Sequence, residues 1–320
     1  MAHAVVIGST GHVGTYLVPR LAAAGYEVTA VSRGQRDPYQ PHAAWDSVRK
    51  VELDRVAEDE AGTFAQKILD LKPDIVVDMI CFKLESAQHL VEALRGQVQH
   101  YLFYGSIWAH GHSVEVPTAE TQKRQPFGEY GIQKAAIEAY LQDEARRNGF
   151  PATTLHPGHI VGPGWNPLNP AGNFDPRVFT MLAQGQELAL PNIGLETVHH
   201  VHADDIAQMT MGAIANWSAA VGQAFWAVSP SAVSLRGYAE TVAGWFGREA
   251  NLKFLPWNEW EALDVYSEQE KQQTWGHIAR SPNFSCAKAE RLLDYRPRYT
   301  SFRAVYEAVT WLVEQGVVKT

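Results

Sequence analysis

Tyr130 and Lys134 stand four residues apart in the stretch Glu129-Tyr130-Gly131-Ile132-Gln133-Lys134, which opens a helical run from Ala135 to Arg147. Residues four apart share a helix face, so the phenol and the ammonium can point into one cleft. A free tyrosine has a pKa of about 10 and is a poor base at neutral pH. A neighbouring ammonium favours the phenolate and lowers that pKa, giving a group that takes a proton from an alcohol or returns one to a carbonyl. Such a pair needs a partner to hold the substrate oxygen. Ser106, which ends the apolar strand-like run Tyr101-Leu102-Phe103-Tyr104-Gly105, is the candidate.

The elements that must position these groups begin at the N-terminus. The apolar run Ala2 to Ile7 breaks into Gly8-Ser9-Thr10-Gly11-His12-Val13-Gly14, and an amphipathic helix from Thr15 to Ala24 follows. In a strand, glycine turn and helix of this kind, the glycines permit a tight turn, admit backbone N–H groups to a pyrophosphate and let helix and strand pack closely. The helix N-terminus then favours the negative charge. A second strand, Tyr26 to Ser32, ends at Arg33, with Arg36 close behind; in dinucleotide folds an acid at this place suits NAD and an arginine suits the 2′-phosphate of NADP. Strands are expected again at Val48 to Leu53, ending at Asp54, and at Asp74 to Ile80. Helical patterns lie at Phe64 to Leu71 and Leu84 to Leu94. This alternation predicts an α/β fold with a parallel sheet covered on both faces, in the Rossmann-type doubly wound manner.

Hydrophobic residues make up 46% of the 320 residues and charged ones 19%, as in a globular protein, and the length suits one large α/β unit with a lobe. The net charge of −8 argues against a nucleic-acid surface, which needs clustered Lys and Arg. No apolar run approaches the ~18 residues of a membrane helix, and the opening MAHAVVIGST lacks a signal-peptide core. With two cysteines, Cys81 and Cys286, the sequence fits a reducing compartment. A cytoplasmic location is expected.

Gly8, Gly11, Gly14, Ser106 and the Tyr130/Lys134 pair, in this order and separation, resemble an extended short-chain dehydrogenase/reductase of the NAD-dependent epimerase/dehydratase family. Three later stretches are similar to that family as well: Leu155-His156-Pro157-Gly158-His159-Ile160-Val161-Gly162-Pro163-Gly164, His202-Ala203-Asp204-Asp205-Ile206-Ala207, and Ala287 to Pro297. The resemblance implies that Tyr130 is the acid/base, that Lys134 holds the nicotinamide ribose and depresses the Tyr130 pKa, and that Ser106 hydrogen-bonds the reacting oxygen. It implies that Gly8, Thr10, Gly11, His12, Val13 and Gly14 line the pyrophosphate, that Asp54 sits near the adenine, and that Pro157 through Ile160 borders the nicotinamide. It also implies a homodimer through helices Leu84–Leu94 and Gly128–Asn148. The cofactor expected is NAD(P), with NADP favoured slightly on account of Arg33. A Rossmann domain over 1–157, rejoined by about 195–230, and a smaller C-terminal substrate-binding lobe over most of 158–320 are the expected divisions.

The sequence departs from the family where the substrate should lie. Members that bind nucleotide-diphosphate sugars usually carry an arginine at the place of Val198, and Arg280 is left as the candidate second clamp. His156 replaces a common arginine, and His159 a frequent asparagine. No acidic pair follows Ser106, which argues against sugar 4,6-dehydration. Trp108, His110 and His159 are candidate substrate contacts with Arg280. His199, His200 and His202 do not form a metal site on a strand, where alternate residues face apart, and no metal is expected. Asp204 and Asp205 are expected to cap the following helix, Ile206 to Asn216. The reading favoured is an NAD(P)-dependent epimerase or dehydrogenase acting on a hydroxyl or keto group of a sugar or sugar nucleotide. An NADPH-dependent reductase of a non-sugar carbonyl, and a non-catalytic cofactor-binding regulatory or RNA-associated protein, are the alternatives.

Overall fold

The computed structural model describes residues 1–320. Six short strands, β1 (His3–Ile7), β2 (Glu27–Ser32), β3 (Arg49–Glu52), β4 (Ile75–Asp78), β5 (His100–Tyr104) and β6 (Ala152–Pro157), and a seventh at Ala224–Ala227 form one parallel sheet. Its spatial order is β3-β2-β1-β4-β5-β6 followed by the seventh strand. Strand order therefore reverses between β1 and β4, and a crevice opens at the carboxyl ends of those strands, where ligands bind in doubly wound folds. The inner strands are buried on both faces, β1 and β5 throughout, because helices cover the sheet on each side, while the edge strand β3 is mostly exposed. This is the Rossmann-type fold expected from the sequence.

Two cores sandwich the sheet. One joins Val6, Leu17 and Leu102 with Ile206, Met209, Phe225 and, from the C-terminal region, Phe284, Leu293 and Tyr295. The other joins Val5, Ile7 and Phe103 with Leu90, Ile137 and Leu141. A third core is separate from the sheet and is built from Phe179, Leu190, Val198, Tyr238, Trp260 and Val309, and it defines the C-terminal lobe. No helix is long and apolar enough to cross a membrane.

One expected helix boundary is met and one is shifted by local signals. The helix carrying Tyr130 starts at Glu129, directly after Gly128 at φ 71°, and runs to Asn148. Tyr130 and Lys134 thus lie on its first two turns, within the helix expected over Gly128–Asn148. The helix after His202 spans Ala203–Ala215, and it is capped by His202, whose Nδ1 accepts from the Asp204 N–H at 3.0 Å. Asp204 and Asp205 do not cap it. Asp204 pairs with Arg20 and Arg298, and Asp205 accepts from the backbone N–H groups of Arg298 (2.8 Å) and Tyr299 (3.1 Å). The two carboxylates bind distant chain because the helix begins one turn earlier than the hydrophobic pattern suggests. Helices Leu84–Leu94 and Glu129–Asn148 lie side by side, tied by the Leu84 N–H donating to Gln133 Oε1 at 2.9 Å and by the Arg95–Glu144 pair.

Candidate active site

Helix Glu129–Asn148 packs with Gly131, Lys134, Ile137, Glu138 and Leu141 inward. A Cβ at residue 131 would stand 2.7 Å from the Trp108 carbonyl oxygen, so only glycine lets the helix approach the turn after β5 this closely. That approach brings Tyr130 to Ser106. The Ser106 hydroxyl accepts from the Trp108 N–H at 3.2 Å, and it lies near enough to the Tyr130 phenol to pull its pKa down. Burial of the hydroxyl end acts the other way and wins, so the Tyr130 pKa is raised even though the residue as a whole is 42% exposed.

Lys134 is 1% exposed and donates to the carbonyls of Cys81 (2.8 Å) and Tyr104 (2.7 Å). Burial lowers its pKa to about 8, against the nearby Cys81 and Asp78, which raise it. The ammonium sits 5.7 Å from the centre of the Tyr130 ring. Desolvation is the leading cause at Tyr130, and Lys134, whose ammonium is held by two carbonyls, is not among the groups that shift it.

The phosphate turn fits a dinucleotide. A Cβ at residue 14 would lie 2.0 Å from the Ser9 carbonyl oxygen, so the helix start and the turn are in backbone contact. The N–H groups of His12 and Val13 have no backbone acceptor and remain free for an anion. Gly8 and Thr10 belong to the same turn, and Gly11 donates to the Gly8 carbonyl at 2.9 Å. The His12 ring is stacked on Trp165 at 3.9 Å and tilted against Tyr39 at 5.1 Å. Tyr39 in turn donates its N–H to Thr15 Oγ1 and lies under the Arg36 guanidinium. Nothing in the loop around Tyr39, or at Trp165, announced this packing, because its partners lie in separate segments.

Arg33 and Arg36 are exposed beyond β2, and neither is in an ion pair. The Glu52 carboxyl lies against Gly34 beside them, a site where an added Cβ would meet it at 2.6 Å. Asp54 accepts from the N–H groups of Val56 (3.0 Å) and Ala57 (3.4 Å), capping the helix Arg55–Glu60, so part of its hydrogen-bonding capacity is already used. Pro157 ends β6, and Ile160 sits in a two-stranded parallel ladder opposite Val201, its carbonyl accepting from Trp165 Nε1 at 3.1 Å.

Over Tyr130 the lining is aromatic. Trp108 meets Tyr130 edge-on at 5.9 Å and His277 at 5.2 Å, and Phe82 lies 6.3 Å from Tyr130 on the other side. His159 faces His277 at 4.9 Å; its Nδ1 accepts from the His199 N–H, and its Nε2 has no partner. Burial holds the pKa of His159 well below the usual value and that of His277 at about 4, so both rings are neutral at pH 7. His110 is not at this surface: it is 2% exposed and packed edge-on against Trp226 and Phe284. Arg280 is equally unavailable. Its guanidinium is sandwiched between the Trp108 ring at 3.7 Å and the Phe127 ring at 3.8 Å, and it donates to the carbonyls of Gly276 (2.7 Å) and Phe127 (2.6 Å). It bolts the aromatic wall together, with two of its five N–H groups on carbonyls and its Nε–H buried without a partner. Val198 is fully buried in the lobe core. His199 and His200 point to the carbonyls of Ser229 and Leu168, and His202 caps its helix, so the three rings have separate partners.

The model of the NAD-dependent epimerase/dehydratase family matches residues 4–226. A 2′-dehydrokanamycin reductase of Streptomyces kanamyceticus is 27% identical over 98% of this chain and 85% of the relative. A UDP-glucose 4-epimerase of Mycolicibacterium smegmatis is 24% identical over 79% of this chain and 85% of the relative. Among solved structures, UDP-glucose 4-epimerase from Thermotoga maritima superposes with a TM-score of 0.73 at 18% identity, covering 98% of this chain and 99% of that one, a likeness of fold. Glycine turn, strand order and family match agree: the chain belongs to the NAD-dependent epimerase/dehydratase family and is an NAD(P)-dependent oxidoreductase or epimerase of the extended short-chain dehydrogenase/reductase type.

Proposed function

We propose that the protein interconverts a hydroxyl and a keto group on a sugar ring, working mainly as a reductase on a sugar that is not carried by a nucleoside diphosphate. The observation that supports the site is the convergence of Ser106, Tyr130 and Lys134 from one strand end and one helix. Backbone N–H groups of His12 and Val13 and the glycines around them would hold the cofactor pyrophosphate, and Lys134 would reach its ribose. The bound nicotinamide supplies or accepts the hydride. Ser106 orients the substrate oxygen. Tyr130, whose burial favours the neutral phenol, gives a proton to that oxygen as a carbonyl becomes an alcohol. A protonated tyrosine at neutral pH is the form that reduction requires and oxidation does not.

The substrate class follows from the clamp. A diphosphate is held by charge-assisted, often bidentate arginine contacts. Here the first expected position is a buried valine, and the second arginine is locked between two rings with its Nη atoms on carbonyls. The likeness to a 2′-dehydrokanamycin reductase supports the same reading. Supply the protein with NADPH or NADH and with 2′-dehydrokanamycin, UDP-glucose and simple ketones, following cofactor absorbance. Stoichiometric oxidation of the cofactor with a ketosugar is the expected result. Calorimetry with UDP should show only weak binding; a tight UDP complex, together with UDP-glucose epimerisation without cofactor turnover, would replace this reading with that of a nucleotide-sugar epimerase.

Arg33 and Arg36, exposed and without ion pairs, lead us to expect that NADP binds at least as well as NAD. Arg33→Ala should shift the ratio of the two dissociation constants toward NAD by about tenfold, the loss of one charge-assisted hydrogen bond. An unchanged ratio with NAD preferred would leave Arg33 without a role in reading the phosphate.

A further inference from the structure

Behind Ser106 lies a chain of buried polar groups. The Ser106 N–H donates to His156 Nδ1 at 3.0 Å. A ring nitrogen that accepts carries no proton, so the imidazole proton is on Nε2. Nε2 lies 3.2 Å from Glu138 Oε2, off the line of an ideal hydrogen bond but within strong electrostatic reach. Arg124 closes the other side of the carboxylate, donating from Nε at 3.1 Å and Nη2 at 2.8 Å, while its guanidinium lies 4.4 Å over the Trp226 ring. His156 is fully buried and Glu138 is 4% exposed. Burial works against ionisation of Glu138, and the Arg124 guanidinium and the hydrogen bonds it donates work for it.

Two features tie this chain of groups to the site. Glu138 is two turns beyond Tyr130 and one beyond Lys134 on the same inward face, so one helix carries all three. And a Cβ at residue 105 would stand 2.2 Å from His156 Nδ1, so Gly105 is what admits the ring beneath the backbone of Ser106. The sequence had marked His156 as a departure from the family's arginine. An arginine has no acceptor and could not receive the Ser106 N–H.

We propose that Arg124, Glu138 and His156 form a positioning relay that fixes the backbone of Ser106, and through it the serine hydroxyl, against Tyr130. Arg124 holds Glu138, Glu138 selects the Nε2–H tautomer, and the bare Nδ1 anchors the Ser106 amide. These are positioning residues; none touches the reacting atoms. The inference rests on the proposed role of Ser106 and Tyr130.

The first test needs no turnover. Nitrogen-15 spectra of histidine-labelled protein, with the His156 signal identified by its loss in His156→Asn, should show an unprotonated Nδ1 and a protonated Nε2; an Nδ1–H tautomer or an imidazolium overturns the relay. Hydrogen exchange at the Ser106 amide should be slow in the wild type, faster in His156→Leu, and slow again in His156→Asn, whose side-chain oxygen can stand near the place of Nδ1. The second test is kinetic, with 2′-dehydrokanamycin and NADPH. His156→Leu should lower kcat by about 10- to 100-fold with KM for both reactants little changed, as expected for a small displacement of one catalytic group. His156→Asn should recover most of that loss, and Glu138→Gln should fall between the two. Equal losses in the Leu and Asn variants, or losses that follow cofactor affinity and melting temperature, would mean that His156 only fills space. Should Tyr130→Phe retain wild-type turnover, it is the catalytic reading that fails, and the tautomer and exchange results still decide the relay.

Discussion

Tyr130→Phe is expected to lower turnover by at least about 10²-fold, the lower end of what a positioned acid or base contributes. The substitution keeps the ring, which sits against Trp108 and Phe82 and is partly open to solvent, so packing and fold should survive. Only the ionisable oxygen beside Ser106 is removed. Cofactor affinity should change little, because the groups that fit the phosphates belong to the turn after β1. Lys134→Met should behave differently. Its ammonium is buried on the carbonyls of Cys81 and Tyr104, so the variant leaves two buried acceptors unpaired as well as removing the proposed ribose contact. Cofactor binding, turnover and melting temperature should all fall together. The pH profiles should separate the two directions. Burial raises the Tyr130 pKa, so the proton donor needed for reduction is present throughout the neutral range, whereas alcohol oxidation needs the phenolate and should keep rising as pH increases. Normal turnover in Tyr130→Phe, or an oxidation rate that reaches its plateau below pH 8, would remove Tyr130 from the reaction.

The fold was legible because its signals are local. The run His3–Ile7, the glycines after it and the alternation down to β6 each carry their own period and turn chemistry, and the parallel sheet follows from them. The spacing of Tyr130 and Lys134 told which face they share but not how deeply each is buried, and burial is what reverses the expected pKa of the tyrosine. The substrate side was harder to read. That Val198 cannot clamp an anion is visible in its side chain, but that Arg280 is packed between two rings depends on positions 108 and 127, more than 150 residues away in sequence. His277, Tyr39 and Trp165 meet the site only through such long-range packing and carried no motif of their own. His110 illustrates the converse: its place in the loop between Ser106 and Tyr130 suggested substrate contact, and hydrophobic neighbours from two later segments bury it.

Acid should unfold this protein at a pH where ordinary carboxylates are still largely ionised. His12, His100, His110, His199, His200, His202 and His277 each have a pKa lowered to about 4, with burial as the leading cause in every one. In the unfolded chain these groups return to about 6.5. A base whose folded pKa is depressed binds its proton more readily when unfolded, so its stabilising contribution is complete above pH 6.5 and is lost as pH falls from there toward 4. Between pH 6 and pH 5 each ring loses about 1 kcal/mol, from the ~1.4 kcal/mol that one pKa unit represents. His199 and His277 each face His200, so the losses are coupled rather than simply additive, but they share one sign, and a loss of several kcal/mol is a large part of the whole stability of a typical domain at 5–15 kcal/mol. Asp205 opposes them, its pKa raised to about 6 by burial, but it is one group against seven. The melting temperature should accordingly drop by more than about 10 °C between pH 7.5 and pH 5. His100→Asn, at the opposite end of the sheet from the phosphate turn, should reduce the proton uptake on unfolding by about one and flatten the pH dependence in proportion, while Tyr130→Phe should leave it unchanged. Activity lost below pH 6 should therefore follow the fraction folded, measured by circular dichroism in the same buffer. A melting temperature at pH 5 within about 3 °C of the value at pH 7.5 would show that these imidazoles take up protons without unfolding the chain, and that the burial seen here does not control their charge.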